Sequence, residues 1–172
     1  MIFWGVMIMS NEYKDWYNDF SENQKKNYKL CMKYPIIIPN VSWIANDEDN
    51  YQYEYTMLDS IPIGWRIAFG EEWAKEIQEA IYKIPEEDRD NIYILQLKEK
   101  YGVFTQYFSH YTDELYKVIH KYEALSKKTC INCGKPATKI SLDWISPYCS
   151  DCSKKIAKHD RLVDINKWFT ED

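Results

Sequence analysis

Four of the five cysteines stand in two C-x-x-C pairs, Cys130-Ile131-Asn132-Cys133 and Cys149-Ser150-Asp151-Cys152, separated by residues 134–148. Each pair can turn two thiolates toward one point, and the stretch between them is long enough for a short hairpin that returns the second pair to the first. Gly134, directly after the first knuckle, suits the left-handed backbone such a turn needs, and Lys135-Pro136 then leads the chain outward. Four sulfurs complete a tetrahedron, so the expected ion is structural and keeps no coordination position for a substrate. One Zn2+ is the expected cofactor, with iron as the alternative because four thiolates also hold iron–sulfur centres. Zinc would contribute on the order of 10 kcal/mol to local folding. Lys127, Lys128 and Lys135 nearby would lower the thiol pKa values. Loss of Cys130 and Cys149 is then expected to unfold the C-terminal third and spare much of the helical body. The remaining thiol, Cys31, reads as a small core residue.

No second chemistry is legible. His110, His120 and His159 are far apart in sequence, and no nucleophile elbow, H-E-x-x-H or phosphate-loop motif occurs. A nuclease of the HNH kind would want a histidine pair between the knuckles, and residues 134–148 contain none. The expected class is therefore a binding protein and not an enzyme.

The chain has 172 residues and a net charge of -5, enough for one sizeable core and a small metal-ordered appendage. Its 15 Tyr, 7 Trp and 6 Phe exceed what a core of this size needs, so some should face a partner. Charge is uneven. Residues 1–116 carry 11 Lys and Arg against 20 Asp and Glu, whereas residues 117–161 carry 10 against 4. An acidic body thus meets a basic cysteine segment. Met1 to Met9 is apolar but lacks the basic leader and cleavage site of a signal peptide and is too short to span a bilayer, so it reads as an upstream extension or a short buried strand. With no membrane segment elsewhere, the expected compartment is the cytoplasm, where thiols stay reduced and disulfides are disfavoured.

The elements that would position the cysteines follow from periodicity. Asn11 to Lys29 reads as an amphipathic helix capped by Ser10 or Asn11, with Tyr13, Trp16, Tyr17 and Phe20 on one face. The apolar run Ile36 to Ile38 between Pro35 and Pro39 reads as a short extended piece. Asn46 to Asn50 is an acidic loop, and Tyr51, Tyr53 and Tyr55 after it alternate as in a strand. A helix runs from Gly64 to Ile84, burying Ile67, Phe69, Trp73, Ile77 and Ile81, until Pro85 stops it; its outer Glu71 and Lys75 are spaced for an ion pair. Asn91 to Lys98 and Val103 to Phe108 read as a hairpin around Glu99 to Gly102, and Asp113 to Leu125 as a helix capped by Thr112 with Leu115, Val118, Ile119 and Tyr122 buried. Lys154 to Trp168 reads as a last helix. The expected fold class is α+β: a mainly helical body over 1–126 with a small antiparallel hairpin, and a zinc-ribbon-like module over 127–172 with a C-terminal helix.

Gly64-Trp65, the hairpin Gln96-Leu97-Lys98-Glu99-Lys100-Tyr101-Gly102, the helix ending at Ser126, Thr129-Cys130, Cys133-Gly134, Trp144 and the second knuckle together resemble a group of uncharacterised bacterial and bacteriophage proteins over roughly residues 51–153. The chain departs from that pattern at Thr105, where the group usually has arginine, so no role tied to that arginine carries over. The resemblance implies a phage or mobile-element setting in a bacterial cytoplasm. The expected function is an accessory protein that binds a host or defence protein, for example an inhibitor of a CRISPR or other nucleic-acid-handling effector. Nucleic-acid binding through the basic 127–161 segment is the alternative. Expected partner contacts are Asp47, Glu48, Asp49, Tyr51 and Tyr53 on the acidic side and Lys127, Lys128, Lys154 and Lys155 on the basic side.

Overall fold

A computed structural model describes residues 14–38, 57–89 and 91–168. The leader Met1 to Met9, the caps Ser10 and Asn11, the acidic loop, the Tyr51 to Tyr55 strand and the contacts expected at Asp47, Glu48, Asp49, Tyr51 and Tyr53 lie outside these residues.

The N-terminal amphipathic segment forms two helices, α1 (Lys14–Asp19) and α2 (Glu22–Lys33). The single helix expected here is broken because Ser21 caps a new one: its hydroxyl accepts from Gln24 N while the Gln24 side chain accepts from Ser21 N, a reciprocal box that satisfies two otherwise orphaned amides. Pro35–Ile37 is a 3-10 turn and not the extended piece expected, since proline at its first position presets a helical φ and Ile37 is thereby buried. A second 3-10 turn, Met57–Ser60, leads into α3 (Ile63–Tyr82), followed by the short acidic α4 (Glu86–Arg89).

Helix α3 is the centre of the body. Trp65, Phe69, Trp73, Ile77 and Ile81 recur every fourth residue on its buried face, and Ile67, expected inside, is 66% exposed because it falls off that stripe. The expected Glu71–Lys75 pair gives way to other partners: Lys33 on α2 bonds Glu71, and Lys75 pairs one turn onward with Glu79 at 3.7 Å. Asn27, buried at 3% exposure, donates to Asp59 (2.7 Å), and Arg66 Nη1 donates to Asn27 (3.0 Å) and Asp59 (2.9 Å), tying α2 to α3 through a polar cluster in which, of its buried atoms, only Arg66 Nε is left without a partner among the described residues.

Strands β1 (Ile94–Lys100) and β2 (Val103–Phe108) form an antiparallel hairpin whose last pair is Lys100 with Val103. The loop is therefore the two residues Tyr101 and Gly102, both at positive φ, tighter than the four-residue turn expected. Ile94, Leu97, Phe104 and Phe108 are buried in the core they share with α3, Phe104 lying against Trp65, Phe69 and Trp73, and Trp73 Nε1 donates to the buried Gln106 Oε1 at 2.6 Å. Helix α5 (Asp113–Lys127), capped as expected by Thr112, closes the layer with Leu115, Ile119 and Tyr122, while Val118 is half-buried. At its end the fully buried Ser126 hydroxyl accepts from Phe104 N (2.8 Å) and donates to Glu123 O (2.7 Å). Ser126→Ala leaves that strand amide buried without a partner, so a loss of about 1–3 kcal/mol is expected in a urea titration.

The C-terminal part holds β3 (Lys139–Ser141), β4 (Ser146–Tyr148), α6 (Ser150–Ile156), β5 (Leu162–Asp164) and α7 (Ile165–Trp168), with sheet order β4-β3-β5. The expected helix over Lys154 to Trp168 is interrupted: Leu162, Val163 and Asp164 pair with Ser141, Ile140 and Lys139, because the free edge of β3 supplies hydrogen-bond partners that a helix would not use. Among the described residues no helix is long and apolar enough to cross a membrane.

Candidate metal centre

The first knuckle is built by a tight turn. Cys130 N donates to Lys135 O (2.8 Å), Gly134 N donates to Cys130 O (3.0 Å), and Gly134 takes φ 78°, the left-handed conformation read from the sequence. Ile131 N donates to Pro147 O at 2.9 Å, which brings β4, and so the second knuckle, alongside the first. Cys149 follows β4 directly and caps α6, its Sγ accepting from Cys152 N at 3.4 Å.

The hairpin expected between the knuckles therefore forms, and it returns all four sulfurs to one place, each within 4.8 Å of the others. Cys133 Sγ and Cys149 Sγ are 3.6 Å apart. A sulfur tetrahedron with metal bonds of about 2.3 Å has edges of about 3.8 Å, whereas a disulfide requires about 2.05 Å. The cluster thus has the dimensions of a tetrathiolate metal site and not of a covalent pair, and the four cysteines could hold a metal ion. Cys130, Cys149 and Cys152 are buried and Cys133 is half-buried, which shields an ion from displacement by water.

The sulfurs are electrostatically distinct. Burial pushes the Cys149 thiol up, but the Cys152 amide, the neighbouring thiols and the Asp151 amide more than offset it and bring the pKa to about 7. Cys152 is pushed to about 12, first by burial and then by the other thiols. The lowering expected of Lys127, Lys128 and Lys135 is not found: the Cys133 and Cys152 thiols are raised, and the one lowered thiol, Cys149, owes its shift to the amides at the start of α6 and to the neighbouring thiols. Lys135 lies 3.3 Å from Asp151, which accounts first for its own raised pKa.

The expected basic contacts are placed as follows. Lys127 ends α5 half-buried, and Lys128 is exposed just beyond it. Lys154 and Lys155 are exposed in the last turn of α6, with Lys154 3.9 Å from Asp151. His110 and His120 are exposed and bound elsewhere, to Asn91 O and to Glu123, each at 3.0 Å.

Two residues that support the centre have no role in the cysteine pattern. Gly64 N donates to Ile131 O (2.9 Å), and a Cβ at Gly64 would stand 2.2 Å from Cys130 O. Trp65, fully buried, donates its Nε1–H to Thr129 O at 3.0 Å. The first turn of α3 is therefore the seat of the first knuckle, and a glycine–tryptophan pair opening an apolar helix is its only sequence trace. Compared with family models, curated proteins and solved structures, the chain gives no match.

Proposed function

We propose that this chain is a docking protein: a structural zinc holds its C-terminal module rigidly on the helical body, and the acidic body binds a protein with a basic, nucleic-acid-handling surface. Four thiolates favour zinc over hard cations, and the full tetrahedron leaves the ion no substrate position. When bound, zinc supplies cross-linking of the two knuckles; the protein's own surfaces do the recognition. The setting that goes with this reading, a phage or mobile element in a bacterial cytoplasm, follows the resemblance described above.

One observation carries the choice of partner: the distribution of uncompensated charge. Six of the ten cations in residues 117–161 are held in ion pairs within the chain, Lys117 with Glu114 (2.5 Å), Lys121 with Glu76 (2.5 Å), Lys135 and Lys154 with Asp151 (3.3 and 3.9 Å), Lys139 with Asp164 (3.6 Å) and Arg161 with Asp143 (3.1 Å). Such exposed pairs add little stability, but they blunt the positive field that a phosphate-binding stripe would need. On α4 the balance is opposite. Glu86, Glu87 and Asp88 are exposed and enter no ion pair among the described residues, and the one cation beside them turns away: Arg89 donates to Ile84 O and Tyr82 O, each at 2.8 Å, and lies over the Tyr82 ring. Three free carboxylates on a short helix form a negative knob suited to a basic protein surface.

Immobilised chain exposed to a nuclease-treated extract of its source cells is expected to retain a basic protein at low salt. The triple variant Glu86→Lys, Glu87→Lys, Asp88→Lys should lose at least tenfold of that capture with metal content unchanged, since opposed like charges cost an interface several kcal/mol. Capture that vanishes with nuclease, or that survives the charge reversal intact, contradicts the reading.

A further inference from the structure

The two-residue turn between β1 and β2 puts an aromatic residue where asparagine, aspartate or glycine is favoured. Tyr101 takes φ 52° and is the only non-glycine residue at positive φ among the described residues. A bulky side chain there strains the backbone, and burial does not offset the strain, because Tyr101 is 71% exposed. Trp144, on the turn between β3 and β4, is 70% exposed. The two turns touch: a Cβ on Gly102 would lie 3.3 Å from Ile145 O and 3.4 Å from Pro147 Cδ. Each exposed ring is therefore one residue from the same contact. A strained aromatic and a solvent-facing one that the fold leaves unburied side by side point to a ligand.

The charge beside them gives its chemistry. Lys98 and Lys100 alternate with Gln96 along β1, opposite Thr105, Val103 and Tyr107. The Lys98 ammonium lies 4.8 Å from the Tyr107 ring centroid and the Lys100 ammonium 5.9 Å from that of Tyr101, and among the described residues neither lysine has a carboxylate partner. Of the nearby acids, Asp143 is neutralised by Arg161, while Glu99 and Asp160 are turned to backbone amides. Glu99 accepts from Gly102 N (2.6 Å), and Asp143 is held by Arg161 through its amide (3.0 Å) and guanidinium (3.1 Å).

We propose that Tyr101 and Trp144 form a stacking platform for the bases of single-stranded nucleic acid, with Lys98 and Lys100 taking the adjacent phosphates. Exposed ring faces accept any base, and two lysines beside them without carboxylate partners, Lys98 donating to Gln96 at 2.8 Å, match the strand's charge. A duplex hides its base faces and cannot use the rings. The platform is separate from the acidic knob on α4. Gly64 at the start of α3 is bonded to Ile131, which is bonded to Pro147 beside the platform, whereas α4 follows the far end of this 20-residue helix, roughly 30 Å away.

The test is fluorescence anisotropy of the metal-loaded chain with labelled oligo-dT, oligo-U and a duplex at low ionic strength. Salt-sensitive binding to the single strands is expected, with the duplex bound several-fold more weakly. Trp144→Ala and Tyr101→Asn should each lower affinity about fivefold or more. Tyr101→Asn should also keep or raise the melting temperature, since asparagine tolerates the left-handed turn. Absence of single-strand binding, duplex binding of equal strength, or unchanged affinity in both variants overturns the proposal. So does a fall in melting temperature for Tyr101→Asn, which would make the ring a structural element of the turn.

Discussion

Serine at both Cys130 and Cys149 is expected to cost the chain its metal and most of its cooperative melting, not only the order of its last third. From the sequence alone the knuckles look like an appendage whose loss spares the helical body. The contacts argue otherwise. Gly64 N bonds Ile131 O, Trp65 Nε1 bonds Thr129 O, and Ile131 packs against the core formed by α3, the β1–β2 hairpin and α5. Trp65 and Phe104 share that core with ring centroids 6.2 Å apart, so a shift of the first knuckle unseats the largest buried side chains. A structural zinc contributes on the order of 10 kcal/mol, comparable with the whole stability of a domain, about 5–15 kcal/mol. Elemental analysis should show one equivalent of zinc on the wild-type chain and none on the variant. Thermal melting followed by far-ultraviolet circular dichroism should show a single transition in the first and a shallow, non-cooperative one in the second. A metal-free variant that melts with wild-type cooperativity would show the body to be independent of the centre.

Gly64→Ala is the second large effect, and it reaches the four-cysteine centre from outside the cysteine pattern. The added methyl would stand 2.2 Å from Cys130 O, 2.6 Å from Ile131 O and 2.7 Å from the Ile131 carbonyl carbon. All three atoms are backbone, so no side chain can turn aside, and either the α3 terminus or the knuckle must move. Overpacking commonly costs about 1–3 kcal/mol, and a clash with a backbone that a metal bound by the four cysteines would also pin belongs at or above the upper end. A loss of about 3 kcal/mol in urea titration and a clearly weaker hold on zinc in chelator competition are expected together. Gly70→Ala on the same helix is the control. Its Cβ would meet nothing closer than Arg66 Cβ at 3.7 Å, and the helix gains propensity, so a change between zero and about 1 kcal/mol in the stabilising direction is expected. Equal effects at the two glycines would remove Gly64 as the seat of the first knuckle.

Local signals reproduced well. The cap at Thr112, the left-handed Gly134, the hairpin between the knuckles and the buried stripe of α3 each depend on a few neighbouring residues whose geometry a spacing dictates. Readings failed where one local preference had to be weighed against another. The Ser21–Gln24 box divides one amphipathic run into α1 and α2, and Pro35 starts a 3-10 turn where two fencing prolines suggested extended chain. Residues 162–164 have a helical pattern on either side and still become β5, because the unpaired edge of β3 lies beside them, and no window of sequence contains that fact.

By itself the sequence determined which atoms can bind a metal and that they must converge, since two C-x-x-C turns and a returning hairpin leave four thiolates little other arrangement. It also determined most of the buried face of α3 and α5, with Ile67 and Val118 as the exceptions, because burial follows the period of the backbone. Only the tertiary structure decided how the centre is joined to the body, through a glycine that lets two backbones meet and a tryptophan that bonds across them. It decided as well which charges remain unmatched and which rings remain in water, since an ion pair such as Lys121 with Glu76 and the exposure of Tyr101 and Trp144 depend on residues far apart in the chain. Spacing along a chain fixes directions within a turn or two, whereas neutralisation and exposure are properties of the folded surface.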